Sequence, residues 1–258
     1  MNNSYQEYVE FANKLADEAS KISMQYFRTK LSIDQKNDMS PVTIADQNTE
    51  IKIREMINNK YPNHGILGEE FEAIKPDSEF VWVIDPIDGT RSFIAGHKDF
   101  GNLIALTQNN NPILGIINCP AHQERWVGII NKETTMNNNV VKTSNTSLIN
   151  ESHFCTSGLY LEDEHFKKSC DKIINKTKYY RLGGDCYMYG MVASGLIEIV
   201  LEDTLKTHDY MALIPVIEGA GGVVTDKYGN PVTINSEGSI VASANKSLHN
   251  QIINIINN

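Results

Sequence analysis

The stretch WVIDPIDGTRSFIAG, Trp82 to Gly96, decides the reading. It opens at the end of an apolar run, FVWVID, of the kind carried by a strand buried on both faces. Two carboxylates follow, Asp85 and Asp88, with no basic residue between them. Pro86 stiffens the turn, and Gly89-Thr90 stand where a helix is expected to begin. Asp, Pro and Gly are the commonest turn residues, so DPIDGT alone also fits a capped turn. A turn does not explain like charges at the end of a buried strand. Carboxylates in a partly dry place repel one another and resist ionisation. Cations keep them charged, and hard oxygen ligands on loops suit Mg²⁺ or Mn²⁺. The free N–H groups of the helix starting at Gly89 and Thr90 offer an anion site. Metals beside a helix N-terminus read as a phosphate site.

Further acids share this placement at strand ends and helix starts. GEE supplies Glu69 and Glu70 after the short apolar run GIL, IADQ supplies Asp46, VLED supplies Glu202, and HDY supplies Asp209. Singly, each has a plainer reading: an acidic turn for GEE, a capping-box acid for Asp46, a helix cap for Asp209. Together they make a constellation of oxygen donors.

The remaining sequence reads as layered α and β structure with mixed strand directions. Residues 5–27 have helical spacing, with Val9, Ala12, Ala16, Ala19, Ile22 and Tyr26 on one face. DQKNDMSP (34–41) reads as a turn. A second helix follows Thr43, which can cap it, with Asp46 three residues on. FGNLIALT, PILGIINCP and ERWVGII read as strands. Residues 131–147 read as an exposed loop and the boundary between two halves, 1–142 and 143–258, of one compact unit. Beyond it, EDEHFKKSCDKIINK is helical, KYYRLGG is extended, DCYMYGMVASG is helical and LIEIVLE is a strand. HDYMALIPVIEGAGG is a helix interrupted or kinked at Pro215. GVVTD and SIVASA are strands, and a last helix starts near Lys246.

The 258 residues suffice for a large core, and 41% hydrophobic with 21% charged content is ordinary for a soluble globular protein. A net charge of −9 argues against nucleic acid as a partner and is compatible with binding cations. No segment has the apolar length of a membrane span, and the polar N-terminus has no signal-like core, so a cytoplasmic protein without membrane partners is expected. Cys119, Cys155, Cys170 and Cys186 form no CxxC and no zinc pattern, and free thiols are expected.

The set GEE (68–70), WVIDPIDGTRSFIAG (82–96) and HDYMALIPVIEGAGG (208–222) resembles the inositol monophosphatase superfamily, in matching order and spacing from Lys36 to about Asp226. EGAGG departs by one residue from the usual EAGG-like ending, and His208 replaces the usual Trp before the aspartate. The resemblance implies an α+β fold, a five-layer α-β-α-β-α sandwich with mixed sheets, commonly a homodimer. It implies a Mg²⁺-dependent phosphomonoesterase, inhibited by lithium, acting on a small phosphorylated alcohol. It places Glu69, Asp85 and the Ile87 carbonyl on one metal, and Asp85, Asp88 and Asp209 on a second. Glu70 and Asp46 would orient water, and Thr90 would help activate it. The amides of Gly89 and Thr90 would hold the phosphate, and Glu202 would contact the alcohol half.

Within the superfamily, DMSPVTIAD (38–46), Arg91-Ser92-Phe93, RLGGDCYMYG (181–190) and MALIPVIEGAGG (211–222) look like the histidinol-phosphatase branch of histidine biosynthesis. Asp185 in GGDC joins Glu202 on the alcohol side, where two acids would match a cationic alcohol. Arg91 is a further candidate near substrate or phosphate, its plainer reading being a surface ion pair.

Overall fold

The computed structural model describes residues 4–30, 33–35, 41–158 and 163–258. In chain order the strands are β1 (Ile33–Gln35), β2 (Pro41–Thr43), β3 (Gly65–Gly68), β4 (Phe80–Asp88), β5 (Gly101–Gln108), β6 (Asn111–Cys119), β7 (Glu124–Ile129), β8 (Thr135–Met136), β9 (Asn139–Val140), β10 (His153–Thr156), β11 (Tyr179–Leu182), β12 (Ile199–Glu202), β13 (Val223–Thr225) and β14 (Ile240–Ser243). The helices are α1 (Ser4–Tyr26), α2 (Ile44–Lys60), α3 (Thr90–Ala95), α4 (Glu164–Ile174), α5 (Asp185–Ala193), α6 (Thr207–Tyr210), α7 (Leu213–Gly219) and α8 (Lys246–Ile256).

Strands β3 to β9 form one sheet in chain order, and a second sheet has the order β11-β10-β12-β14-β13. Both are mixed: β3 runs parallel to β4, and β10 runs parallel to β11 and β12, while the other pairs are antiparallel. The pleat sends alternate side chains to opposite faces. Trp82 and Ile84 of β4 therefore join Phe11, Leu15, Ile53 and Ile57 of α1 and α2. Val81 and Val83 join α5 and α7 with Val200, Ile240 and Ala242 of the second sheet. The far face of that sheet, Ile199, Leu201 and Val241, packs on Phe166 and Ile173 of α4 and Leu248 and Ile252 of α8. The result is the five-layer α-β-α-β-α sandwich, its middle layer made of α5 and α7.

Several local readings are corrected. The buried face of α1 is Phe11, Ala12, Leu15, Ala16, Ala19 and Ser23, rotated from the expected stripe so that Val9, Ile22 and Tyr26 lie at its margin. Residues 131–147 are not one exposed loop. Strands β8 and β9 extend the first sheet there, and Thr134 is fully buried, its hydroxyl donating to the Val216 carbonyl at 2.7 Å. The break in HDYMALIPVIEGAGG falls at Met211-Ala212 rather than at Pro215. Pro215 lies in the first turn of α7, where a missing N–H costs no intrahelical bond. The expected turn at 34–41 lies mostly outside the described residues. Its flanks pair as the antiparallel β1 and β2. Residues 38–40 of the branch motif and Glu162 of the fourth helical stretch also lie outside. The four cysteines are free and buried. Among the described residues no helix is long and apolar enough to cross a membrane.

Two glycines let the middle layer approach the first sheet. Gly115 of β6 and Gly128 of β7 are cross-strand partners. A Cβ on Gly115 would run into the Ala212 carbonyl, and one on Gly128 into the Pro215 backbone. Alanine normally suits a strand better than glycine. Here Gly115→Ala is expected to destabilise by about 1–3 kcal/mol, the usual cost of overpacking. Urea unfolding checks it, and a stability equal to or above wild type would show that α7 can retreat from the sheet.

Candidate active site

Parallel pairing sets the first two acids side by side. Gly68 of β3 stands opposite Ile84 of β4, so Glu69 and Asp85 leave the same edge as the next residue of each strand. A regular strand would then turn Asp85 and Asp88 to opposite faces, since they are an odd number of residues apart. The ladder to β5 slips at this point: Asp85 pairs with Leu103 and Asp88 with Gly101, three steps on one strand against two on the other. That extra residue re-aims the side chains, as bulges beside active sites do. The bulge is held from within, where the buried Asn102 donates to the Pro86 carbonyl at 2.6 Å and the Ile87 N–H donates to Asp85 Oδ1 at 3.0 Å.

Asp85, Asp88 and Asp209 thereby bring one carboxylate oxygen each to within 4.8 Å of one another. Asp88 Oδ2 accepts the Cys186 N–H at the start of α5, at 2.6 Å. Asp209 Oδ2 accepts the Lys206 N–H at 2.6 Å, so the helix-capping reading of Asp209 holds for one oxygen while the residue also joins the cluster. Desolvation, then the charge of Glu69, pushes the Asp85 carboxyl well above the usual range. Desolvation, then Asp185 and Asp209, does the same to Asp88. Burial also raises Asp209, against the opposing pull of His208 and the Lys206 amide. Three crowded oxygen donors that resist ionisation are a donor set that a hard divalent cation fits.

Glu69 is not in the tight trio, but its charge raises Asp46, Asp85 and Asp209, which sets it at the edge of the cluster. Asp46 is fully buried at the N-terminus of α2, where Oδ2 accepts the Thr43 N–H at 2.8 Å and hydroxyl at 2.6 Å in a capping box. Its Oδ1 faces the Thr90 hydroxyl at 3.4 Å, and that hydroxyl lies 3.1 Å from the Ile87 carbonyl. Asp46 thus reaches the cluster through Thr90. Glu70 is partly buried beside Glu69, and Arg91 is exposed on α3.

A cavity of about 50 Å³ opens from the cluster, lined by Asp88, Asp209, Asp185, Tyr189 and Glu202 among others. Glu202 accepts the Tyr189 hydroxyl at 2.7 Å, and burial pushes its carboxyl up to about 7. Asp185 has φ of +43° as the first residue of α5, and its buried Oδ2 has no hydrogen-bond partner among the described residues. It is not a helix cap, since Gly184 occupies that position. Its carboxyl packs against Gly89, where a Cβ would come within 2.6 Å of Asp185 Cγ and where φ is +77°. Glycine is the residue that both constraints admit.

Residues 4–258 match the profile of the Inositol monophosphatase family. The chain belongs to this family. It is 41% identical to the chloroplastic bifunctional phosphatase IMPL2 of Arabidopsis thaliana over 90% of this chain and 68% of the plant protein. It is 36% identical to a histidinol-phosphatase of Chlorobaculum parvum over 97% of this chain and 96% of that one. The solved structure of an inositol monophosphatase from Zymomonas mobilis superposes over all of both chains with a TM-score of 0.91 at 39% identity. Within the family the chain is a phosphoric monoester hydrolase.

Sequence reading passed over three residues that hold the backbone next to these acids. Asn102 fixes the bulge, and Glu50 and Arg54 of α2 lie under the loop after Gly68. Asn102 carries no local signal. Glu50 and Arg54 show only the i, i+4 spacing of an ordinary surface ion pair.

Two outcomes follow from the crowding of charge. Asp85→Asn, measured metal-free at pH 8, is expected to raise the melting temperature by about 2–4 °C, a relief on the order of 1 kcal/mol. The same variant is expected to lose most of the wild-type stabilisation by Mg²⁺, roughly 5–10 °C at a hundredfold excess over Kd. A lower metal-free melting temperature in Asp85→Asn would show that the acids do not repel. The second outcome concerns pH. Glu202 has a folded pKa of about 7, raised from 4.5, so its contribution is full below 4.5 and lost as pH rises through 7. The stability of Glu202→Gln relative to wild type should therefore climb between pH 5 and pH 8, by up to roughly 3 kcal/mol. A difference that is flat with pH would place the titration elsewhere.

Proposed function

We propose that this phosphatase hydrolyses histidinol phosphate with Mg²⁺, Mn²⁺ being an alternative ion. The observation that carries the reading is one cavity lined by Asp88 and Asp209 together with Asp185 and Glu202. The first pair belongs to the cation cluster. The second faces the alcohol half, and the unpartnered oxygen of Asp185 is an acceptor waiting for a donor. Histidinol carries an ammonium group that supplies one. Likeness to a histidinol-phosphatase at 36% identity over nearly the whole chain supports the same branch.

Glu69, Asp85, the Ile87 carbonyl, Asp88 and Asp209 would hold two divalent cations. When bound, such cations generate a nucleophile from water near neutral pH and neutralise charge on the phosphoryl oxygens. The chain's own groups do the rest. Thr90 passes a proton toward the buried Asp46, and Glu70 orients the attacking water. The amides of Gly89 and Thr90 receive the phosphate oxygens. Arg91, exposed at the rim, attracts the incoming anion. Transfer is direct to water, in line, without a covalent intermediate. Lithium would inhibit by taking one cation position without activating water.

Inositol-1-phosphate is the second reading, favoured by the likeness to the Zymomonas mobilis inositol monophosphatase. Its neutral hydroxyls could also donate to Asp185 and Glu202. A sugar phosphate draws weaker support from 27% identity to a fructose-1,6-bisphosphatase/inositol-1-monophosphatase of Aquifex aeolicus over 88% of this chain, whereas a nucleotide phosphate or a non-catalytic phosphate-binding role draws none from the relatives named here. Phosphate release from histidinol phosphate and inositol-1-phosphate at fixed Mg²⁺ separates the two readings. Asp185→Asn is expected to lower kcat/KM for histidinol phosphate by about tenfold to a hundredfold, the worth of one charge-assisted hydrogen bond. It should cost inositol-1-phosphate less. An unchanged ratio removes Asp185 from substrate selection, and a wild-type preference for inositol-1-phosphate overturns the branch. Asp88→Asn should depress both activities at least about a hundredfold, and EDTA should abolish them; turnover that survives both would end the cation reading.

A further inference from the structure

Helix α2 carries a second acid that faces inward. Glu50 is fully buried, one turn after Asp46, and Arg54 follows one turn later, so all three share one helix face. Arg54 Nε donates to Glu50 Oε1 at 2.7 Å. Both side chains then grip the segment that follows β3. Glu50 Oε2 accepts the Glu70 N–H at 2.8 Å, and Oε1 accepts the Phe71 N–H at 3.3 Å. Arg54 donates to the Phe71 carbonyl at 2.8 Å and to the Glu72 carbonyl at 3.0 Å, and its guanidinium lies 5.7 Å from the centre of the Phe71 ring. The carboxylate sits so tightly under the strand end that a Cβ on Gly68 would overlap it.

A buried ion pair is a weak source of stability, because the cost of desolvating both charges offsets their attraction. What this pair does is directional. It fixes the main chain on both sides of Glu70, next to Glu69, whose charge raises the carboxyls of Asp46, Asp85 and Asp209. We propose that Glu50 and Arg54 are positioning residues for the cation site. They clamp the Glu69-Glu70 loop to the helix that carries Asp46 and so hold acids from two separate segments in one frame. Loss of the clamp frees the loop while leaving the aspartate trio intact. The inference rests on the cation reading above, and its test reads the loop directly.

The experiment uses the full chain, metal-free, with two variants. Glu50→Gln keeps the shape and removes the charge. Glu50→Leu/Arg54→Met removes both charges, so that neither is left buried alone, and keeps the comparison available where the single variant folds poorly. Two measurements are made: hydrogen exchange of the Glu70 and Phe71 amides, and calorimetric titration with Mn²⁺ in the absence of substrate. The expected result is exchange at least tenfold faster at these two amides, with β4 and β5 unchanged, and a Kd for Mn²⁺ raised at least tenfold. In the double variant thermal stability should be near wild type while both defects persist, which a merely structural pair would not give. Wild-type exchange at Glu70 and Phe71, or wild-type Mn²⁺ affinity, in a folded variant overturns the clamp. Failure of the wild-type protein itself to bind Mn²⁺ overturns the cation reading, while the exchange of the Glu70 and Phe71 amides still decides by itself whether Glu50 and Arg54 clamp the loop.

Discussion

Mutual repulsion among carboxylates is the constraint on which the rest of the structure depends. Asp85, Asp88 and Asp209 crowd together where water is scarce, and their carboxyls are displaced upward by desolvation and by one another's charge. Left alone, such groups would separate or take up protons. They stay together because each has an oxygen tied to a backbone N–H: Ile87 for Asp85, Cys186 for Asp88 and Lys206 for Asp209. Each amide belongs to a different part of the chain. The scaffold therefore holds the acids by dipoles that it supplies itself, and the result is a set of oxygen donors that a hard divalent cation fits.

That arrangement explains the architecture. Parallel pairing of β3 with β4 aligns Glu69 with Asp85, the bulge against β5 turns Asp88 back toward them, the short helix α6 delivers Asp209, and α5 of the middle layer delivers the Cys186 amide. The middle helices reach that depth because Gly115 and Gly128 leave no side chains in the way. A site composed from so many elements needs rigid layers on both sides, and the apolar clusters of the two sheets provide them.

The acids at strand ends were legible because their chemistry is local. Asp85 and Asp88 stand in one hexapeptide, Asp46 stands in its own capping box, and Glu69 follows a short apolar run. The layered fold was legible from apolar runs such as FVWVID. What could not be read depends on distant partners. Asn102 looks like any strand residue until Pro86 is opposite it, and Glu50 and Arg54 look like a solvated pair until the loop after Gly68 covers them. The polar composition of 131–147 concealed two short strands, since cross-strand pairing outweighs local propensity at a sheet edge. Pro215 was a misleading punctuation mark, because a proline breaks a helix only when it lies beyond the first turn.

Helix α2 also behaves as a ruler. Each inserted residue in an α-helix rotates everything beyond it by about 100° and lengthens it by about 1.5 Å. One extra residue between Asp46 and Glu50 would leave Asp46 beside Thr90 and swing Glu50 out of reach of the Glu70 amide. Length variation among relatives should therefore be tolerated ahead of Thr43 and beyond Lys60, and be absent from the single turn between Asp46 and Glu50.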